Sequence, residues 1–484
     1  MRTSFSHLTF YCITTLALAG CAVGPNYHRP AMNAPSGYRD AAADSSTNSL
    51  ADLPWWGIFK DPVLQDLIRV ALSNNYDLRI TLTRVDQARA LQAQARSQFL
   101  PQVDYRGEAT RGRNSFLGLP TPNGGQTMNG FLGGFEAVWE IDLWGRVRRM
   151  NEAARANFMA SQEGRRSVMI SLVSSVAGAY FELLELDDQL TIAGRTRDSY
   201  QRTFKLFDDQ HAAGLASNLE LSRAKLALRS VSANIPEIER QIALKENEIN
   251  VLLGRNPGPV PRTSTLLAQE LPVEVPVGLP SDLLERRPDI RMAEQRVHQA
   301  NAEIGVAVGD FFPRVGLTTF YGGASAELHN LVATSANTWS LAASAAGPLF
   351  TGGRLTGRYR QAKASTEEAK LQYQETALSA FREVSDALIS RVRFEEERAQ
   401  QGEAVGAGRD AVAVATDRYK EGKASYYEVL EAQQQLFPAE NAMSHIEAAR
   451  RLTIVQLYKA LGGGWSLTDS QWFGASDQVR NESK

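Results

Sequence analysis

Two stretches of the chain alternate apolar and polar residues with a period of two. In residues 135–143 every odd position is apolar, and three even positions are acidic: Glu136, Glu140 and Asp142. Residues 339–346 alternate Trp339, Leu341 and two alanines with serines and alanines. The segments that begin at residues 103 and 315 alternate more loosely. A period of two with one apolar face is typical of a half-buried strand, so the pattern predicts four strands in two hairpins.

Long stretches without proline follow these strands, at residues 146–210 and 354–421. A helix of this length would extend about 100 Å, at 1.5 Å per residue. Each stretch ends near a glycine, Gly214 or Gly422, which suits a left-handed helix cap. The alternative is an ordinary coiled-coil hairpin.

Shorter helices are predicted on both sides of each long one. Residues 218–253 and 425–461 would return from the glycine turns, and residues 62–100 and 281–312 would precede the strands. A proline stops each of the latter, at positions 101 and 313, because the residue before a proline disfavours the helical conformation. We expect two short helices, stacked end to end, to lie beside one long helix.

The chain contains an internal duplication. Residues 77–103 align with residues 289–315 at an offset of 212, with 11 identities in 27 positions. Further on the offset is 208, and Gly214 and Glu220 align with Gly422 and Glu428. The predicted organisation is therefore a signal (1–20), a tether (21–60), a first repeat (61–275), a second repeat (276–465) and a tail (466–484).

The N-terminus has the features of a secretory signal. Arg2 precedes an apolar run over residues 8–19, and the sequence Leu-Ala-Gly-Cys ends at Cys21. This end resembles a bacterial lipobox, which implies cleavage before Cys21, acylation of that cysteine and delivery to the outer membrane. The alternative is an ordinary signal peptide with a buried cysteine beyond it. Residues 22–53 are rich in Pro, Ser, Ala and Asn and predict an extended tether.

Composition narrows the class of protein. The 52 basic and 54 acidic residues give a net charge of −2, which argues against nucleic acid as a partner. A mean hydropathy of −0.29 excludes a bundle of membrane-spanning helices but not a β-barrel, whose strands alternate. The two cysteines, Cys12 and Cys21, lie near the N-terminus and exclude a disulfide scaffold in the body of the chain.

Four strands are too few to enclose a lumen, since bacterial outer-membrane barrels begin at about 8. One interpretation is two soluble hairpins packed on a helical domain. Together with an outer-membrane anchor, a barrel shared by several chains is favoured. No phosphate loop, nucleophile elbow or HExxH motif is present, and none of the six histidines pairs at metal-ligand spacing. We therefore expect no enzyme activity, no cofactor and no metal site.

These features together resemble the TolC superfamily, most closely the lipid-anchored outer-membrane factors of resistance-nodulation-division (RND) tripartite efflux pumps. The resemblance spans residues 21–465. It rests on segments that include Cys-Ala-Val-Gly-Pro-Asn-Tyr from residue 21, Arg-Arg-Pro-Asp-Ile-Arg from residue 286 and Tyr-Lys-Glu-Gly from residue 419. It implies an α+β membrane channel: a homotrimer with a 12-stranded outer-membrane β-barrel, four strands per chain, an equatorial domain and a long periplasmic α-helical barrel.

The resemblance also implies functional positions. A periplasmic adaptor protein would contact the turns at the hairpin tips: Gly214, Leu215, Ala216, Ser217, Gly422, Lys423, Ala424 and Ser425. Carboxylates above the tips would constrict the duct, and the matching residues are Glu220, Glu428 and Glu431. Glu428 and Glu431 share one helix face, and three copies would form a negative ring. Tyr419, one turn below, would link neighbouring helices. The alternative is that these glutamates only solvate a helix face.

The sequence thus predicts a passive outer-membrane duct that passes drugs or other toxic compounds, supplied by an inner-membrane RND transporter. One alternative is the same fold in type I protein secretion. Another is a periplasmic scaffold lipoprotein without a channel.

Overall fold

The fold combines two very long helices with one antiparallel sheet. The computed structural model describes residues 22–39, 49–120, 127–270 and 276–472. Its two longest helices each have 67 residues. The ten α-helices of the described residues are α1 Trp55–Ile58, α2 Pro62–Asn74, α3 Tyr76–Ser97, α4 Arg146–Ala212, α5 Asn218–Leu252, α6 Leu283–Arg286, α7 Pro288–Gly309, α8 Arg354–Lys420, α9 Tyr426–Ala460 and α10 Asp469–Trp472.

The two predicted long helices and their returning partners are confirmed to within a few residues. The helix predicted over residues 62–100 is wrong as a single element, because it breaks at Asn75. The Asn75 backbone is not helical, with φ of −56° and ψ of 130°. Its Oδ1 accepts from the Leu78 N–H at 3.0 Å, and its Nδ2 donates to the Leu252 carbonyl. The helix predicted over residues 281–312 is likewise broken, at Arg287, the residue before Pro288.

The described strands are β1 Gln102–Arg113, β2 Ser115–Phe116, β3 Leu119–Pro120, β4 Thr127–Ile141, β5 Arg314–Ser325 and β6 Asn337–Ala346. The four long strands form one sheet in the order β1-β4-β5-β6, with all neighbours antiparallel. Strands β2 and β3 form a small second sheet within the connection between β1 and β4. Two predicted hairpins, β1–β4 and β5–β6, are confirmed, and the β4–β5 pairing joins them.

The register confirms the predicted apolar face. Tyr105 pairs with Phe135, Phe135 with Tyr321, and Tyr321 with Trp339, so one aromatic row crosses all four strands. These side chains are 62 to 87% exposed. Asp104 and Glu136 pair in an adjacent row, on the opposite face.

The chain divides into two compact units, and each contains parts of both sequence repeats. The first unit comprises Met1–Ala31, Arg84–Gln162 and Met292–Gln374, and it contains the described strands. The second comprises Met32–Thr83, Glu163–Arg291 and Glu375–Lys484.

An apolar segment of α4 forms part of the core of the second unit. Val173, Tyr180 and Leu183 are fully buried there. Among the described residues, α4 alone is long and apolar enough to cross a membrane by length and composition, and 67% of its most apolar window is buried inside the protein. The apolar segment of α4 is therefore a packed section of the helix.

Candidate functional site

The two hairpin turns have the same backbone geometry. Gly214 and Gly422 both adopt left-handed conformations, with φ of 73° and 69°. The next residue in each turn donates its N–H five residues back: Leu215 to Gln210 and Lys423 to Arg418, each at 2.8 Å. This is the Schellman motif, which favours glycine because a Cβ is strained at positive φ.

The predicted tip residues are gathered at these turns, and most of them are exposed. The side chain of Leu215 is 81% exposed, and Leu219 in the next turn is 60% exposed. Lys423 pairs with Glu421 at 2.8 Å. The turn at Gly214 therefore presents an apolar surface, and the turn at Gly422 presents a charged one. The contact with an adaptor stays a prediction.

The two returning helices begin differently, although both sequences fit the pattern Ser-x-x-Glu. At α5, Ser217 and Glu220 form a complete capping box. The Ser217 N–H donates to the Glu220 carboxylate at 2.7 Å, and the Glu220 N–H donates to Ser217 Oγ at 3.2 Å. The backbone and hydroxyl hydrogen bonds from Ser217 lower the pKa of the Glu220 carboxyl.

At α9 no such box forms. The Ser425 side chain makes no cap hydrogen bond, and the Glu428 carboxylate lies 3.8 Å from Arg418 Nη1. Glu428 and Glu431 are exposed, whereas Val429 and Leu430 between them are buried. Glu428 and Glu431 therefore share the exposed face of α9, while Glu220 is bound by its own helix terminus.

Tyrosines connect the second hairpin to α4 of the first. Tyr419 OH accepts a hydrogen bond from Gln210 Nε2 at 3.4 Å. The rings of Tyr419 and Tyr426 meet edge to face at 5.1 Å, and Tyr426 OH hydrogen-bonds Thr203. Tyr419 therefore contacts α4 within one chain, while its role at the gate stays a prediction. Tyr426 and Thr203 were not predicted, since their contact joins positions 223 residues apart.

A cavity of about 260 Å³ lies between the first turns of α5 and α9. The Arg223 guanidinium lies over the ring of Tyr427, with 5.2 Å to the ring centroid. The cavity is lined by Phe207, Ser217, Leu219, Glu220, Arg223, Ala224, Ser425, Tyr426, Tyr427 and Leu430. Its volume lies below the roughly 300–1,000 Å³ that is typical of small-molecule sites.

Of the remaining predicted site residues, Cys21 lies outside the described residues. Within the described ranges, no group of three or more His, Cys, Asp or Glu side chains is placed to hold a metal ion.

The model of the outer membrane efflux protein family matches residues 67–255 and 279–463. The chain belongs to this family. It is 34% identical over 458 residues to the toluene efflux pump outer membrane protein TtgC of Pseudomonas putida, covering 94% of each chain. It is 32% identical over 462 residues to the cation efflux system protein CusC of Escherichia coli, covering 94% of this chain and 98% of CusC.

Solved structures of outer membrane channels share the fold of this chain. The open-state MtrE outer membrane channel of Neisseria gonorrhoeae superimposes with a TM-score of 0.83 at 29% identity, over 92% of this chain and 99% of MtrE. The protein is therefore an outer-membrane efflux protein with the α+β channel fold, as the sequence predicted. The family is one of channels and transport proteins.

Proposed function

We propose that three copies of this chain form the exit duct of an RND-type tripartite efflux pump. The observation that supports this most directly is the open sheet. Its edge strands β1 and β6 have no partner strand among the described residues, and every position of β6 is exposed. The two edges run in opposite directions in an antiparallel sheet of four, so β6 of one copy fits beside β1 of the next. Three such sheets would close a barrel and leave no free edge.

The exposed faces of the sheet fit a barrel in a membrane. The aromatic row from Tyr105 to Trp339 lies on the face that would meet lipid, as do Val103 and Leu341, which are 66 and 70% exposed. Membrane barrels place aromatic side chains at the lipid interface and polar ones in the lumen. Asp104 and Glu136 would face the lumen, where water solvates their charges.

The hairpin tips would form the periplasmic entrance. Glu428 and Glu431 of three copies would constrict it as a negative ring. We infer that Glu220 contributes less, because its carboxylate is bound by Ser217. A periplasmic adaptor would bind the turns at Gly214 and Gly422 and shift the equilibrium towards the open state.

Cys21 would be acylated and anchor the protein in the outer membrane. The residue after it, Ala22, contacts Gly145 at the junction of β4 and α4: a Cβ on Gly145 would lie 2.5 Å from the Ala22 Cα. The strand end is where a barrel leaves the bilayer, so an acyl chain attached one residue earlier would enter the lipid there.

The transported compounds would be drugs, solvents or other toxic molecules, since the relatives include a toluene pump component. The names of these relatives also favour efflux over type I protein secretion. The inner-membrane transporter would supply the energy.

Single-channel recording in planar bilayers tests this proposal. Glu428→Ala with Glu431→Ala should raise conductance, because the negative constriction is removed. Glu403→Ala is the matched control, since this exposed glutamate lies on α8 about 28 Å from the turn at Gly422. Unchanged conductance in the double variant would reject the gating ring. A wild-type protein that never conducts would reject the duct and support a scaffold.

A further inference from the structure

A buried carboxylate on α9 fastens that helix to two others. Glu440 is only 6% exposed. Its Oε2 accepts from Arg195 Nη2 on α4 at 2.5 Å, and its Oε1 accepts from Arg409 Nε and Nη2 on α8 at 3.1 and 2.9 Å. Each carboxylate oxygen therefore binds a different helix, so three helices are joined at one side chain.

A proline lies next to this contact, on the side nearer the turn at Gly422. Pro438 is inside α9, two residues before Glu440. Proline has no N–H, so the hydrogen bond that would end at the Gln434 carbonyl is missing and the helix is easier to bend there. Gln401 on α8 donates to the Ala439 carbonyl at 2.8 Å, which adds a second fastening on the same side as Glu440.

The first hairpin lacks this arrangement. At the repeat offset of 208, Ser232 takes the place of Glu440, and Gln201 takes the place of Arg409. The Ser232 hydroxyl donates to the Leu228 carbonyl of its own helix at 2.7 Å. The proline of α5 is Pro236, which is not at the position equivalent to Pro438. The carboxylate and its neighbouring proline therefore occur only in the hairpin that contains Glu428 and Glu431.

Between the turn at Gly422 and Pro438, the contacts of α9 with α4 are neutral, and Tyr426 OH hydrogen-bonds Thr203. Gln433 Nε2 donates to Ser199 Oγ at 3.1 Å, and Leu430 packs in a small apolar cluster with Tyr200. A cavity of about 310 Å³ adjoins this section and gives it space to shift. Its lining includes Arg195, Arg202, Arg409, Gln433, Phe437 and Glu440.

We propose that Glu440 is the pivot of the entrance gate. It holds α9 to α4 and α8, and residues 426–437 swing about Pro438 as one lever. Glu428 is ten residues from Pro438, about 15 Å along the helix, so a modest bend moves its carboxylate by several ångströms. Glu440 is a positioning residue, and this inference rests on the proposed channel function.

Two substitutions with opposite expected effects test the pivot. Glu440→Gln keeps the shape of the side chain but removes both ion pairs, and the open probability in planar bilayers should rise at least about fivefold, the lower end of common coupling between sites. Pro438→Ala restores the helix hydrogen bond and should lower the open probability, also in the Glu440→Gln background. If these residues only stabilised the fold, the two substitutions would not change the open probability in opposite directions.

Glu440→Asp and thermal unfolding of each variant complete the experiment. Glu440→Asp retains the charge and should recover most of the wild-type gating, while circular dichroism should show wild-type helix content. If Glu440→Gln and Pro438→Ala both gate like wild type while Glu428→Ala with Glu431→Ala conducts more, the pivot is wrong and the duct stands. If wild-type protein shows no conductance, both are wrong.

Discussion

Gly24 and Gly305 meet backbone to backbone in the first unit. A Cβ added to Gly24 would lie 2.5 Å from the Gly305 Cα, and one added to Gly305 would lie 2.6 Å from Arg149 Cγ. Arg149, itself 4% exposed, donates to the carbonyls of Val23 and Gly24 and to Asn26 Oδ1. The predicted tether is thus an ordered strap in this section, held on α4 and α7.

We expect Gly24→Ala to release this strap. The new methyl group would overlap the Gly305 backbone, and Gly24 has a φ of +92°, which disfavours any side chain. The cost should be about 2 kcal/mol of unfolding free energy, typical of overpacking. Chemical unfolding measures it. Gly37→Ala is the control, since nothing lies within 4 Å of its Cβ position; equal behaviour of both variants would show that the strap is not held.

The surroundings of the Asp61 carboxylate predict how the stability of the protein depends on pH. This carboxylate is 7% exposed, and burial alone would raise its pKa. Hydrogen bonds from Ser264 and Gln269 (2.6 Å each) and Tyr180 (3.0 Å) outweigh burial, so the pKa is lowered. A lowered carboxyl pKa stabilises the fold above its unfolded value of about 3.9, and this stabilisation is lost as the pH falls through the native pKa.

Asp61→Asn should therefore destabilise the protein by about 1–3 kcal/mol at pH 7, because the amide leaves donors unpaired. The difference from wild type should shrink below about pH 4. Urea unfolding between pH 3 and 7 measures both effects. Asp66→Asn is the control, because the Asp66 side chain is 75% exposed. A difference that stayed constant with pH would mean that the charge of Asp61 is not involved.

Ser217 and Ser425 precede α5 and α9 at equivalent positions of the two repeats, so their substitutions can be compared. Ser217→Ala removes an observed cap and should cost about 1 kcal/mol of unfolding free energy. Ser425→Ala removes a hydroxyl without a cap bond and should change stability by less than about 0.5 kcal/mol. Thermal unfolding of both variants gives the difference. Equal losses would show that α9 is capped in solution as well.

Local signals explain which elements were predictable. The ends of α4 and α8 agree with the sequence because glycine at the turns acts within a few residues. The break at Asn75 was missed, since asparagine also occurs inside helices and its capping contact is with Leu252, 177 residues away. The capping asymmetry of Glu220 and Glu428 was missed because both match the same pattern.

Long-range ion pairs could not be predicted from the sequence, because their two partners lie far apart along the chain. Arg195 and Glu440 are 245 residues apart, and nothing in the local sequence of either indicates the other. The repeat comparison contained a usable signal, because a glutamate aligned with Ser232 marks a difference between the two hairpins.

The sheet register predicts which face of β5 meets lipid. Tyr321 lies in the aromatic row and is 62% exposed, whereas its neighbour Phe320 lies on the opposite face. Tyr321→Lys should destabilise the membrane-inserted protein by about 1–4 kcal/mol, with the larger values nearer the middle of the bilayer, because a charge on the lipid face must be buried in hydrocarbon. Phe320→Lys should be tolerated better, since the lumen is wet. Urea unfolding in lipid vesicles measures both. A larger loss for Phe320→Lys would contradict this assignment of the two faces. The reverse assignment would place Asp104 and Glu136 towards lipid, where burying two carboxylates costs too much, so this result would argue against a membrane barrel.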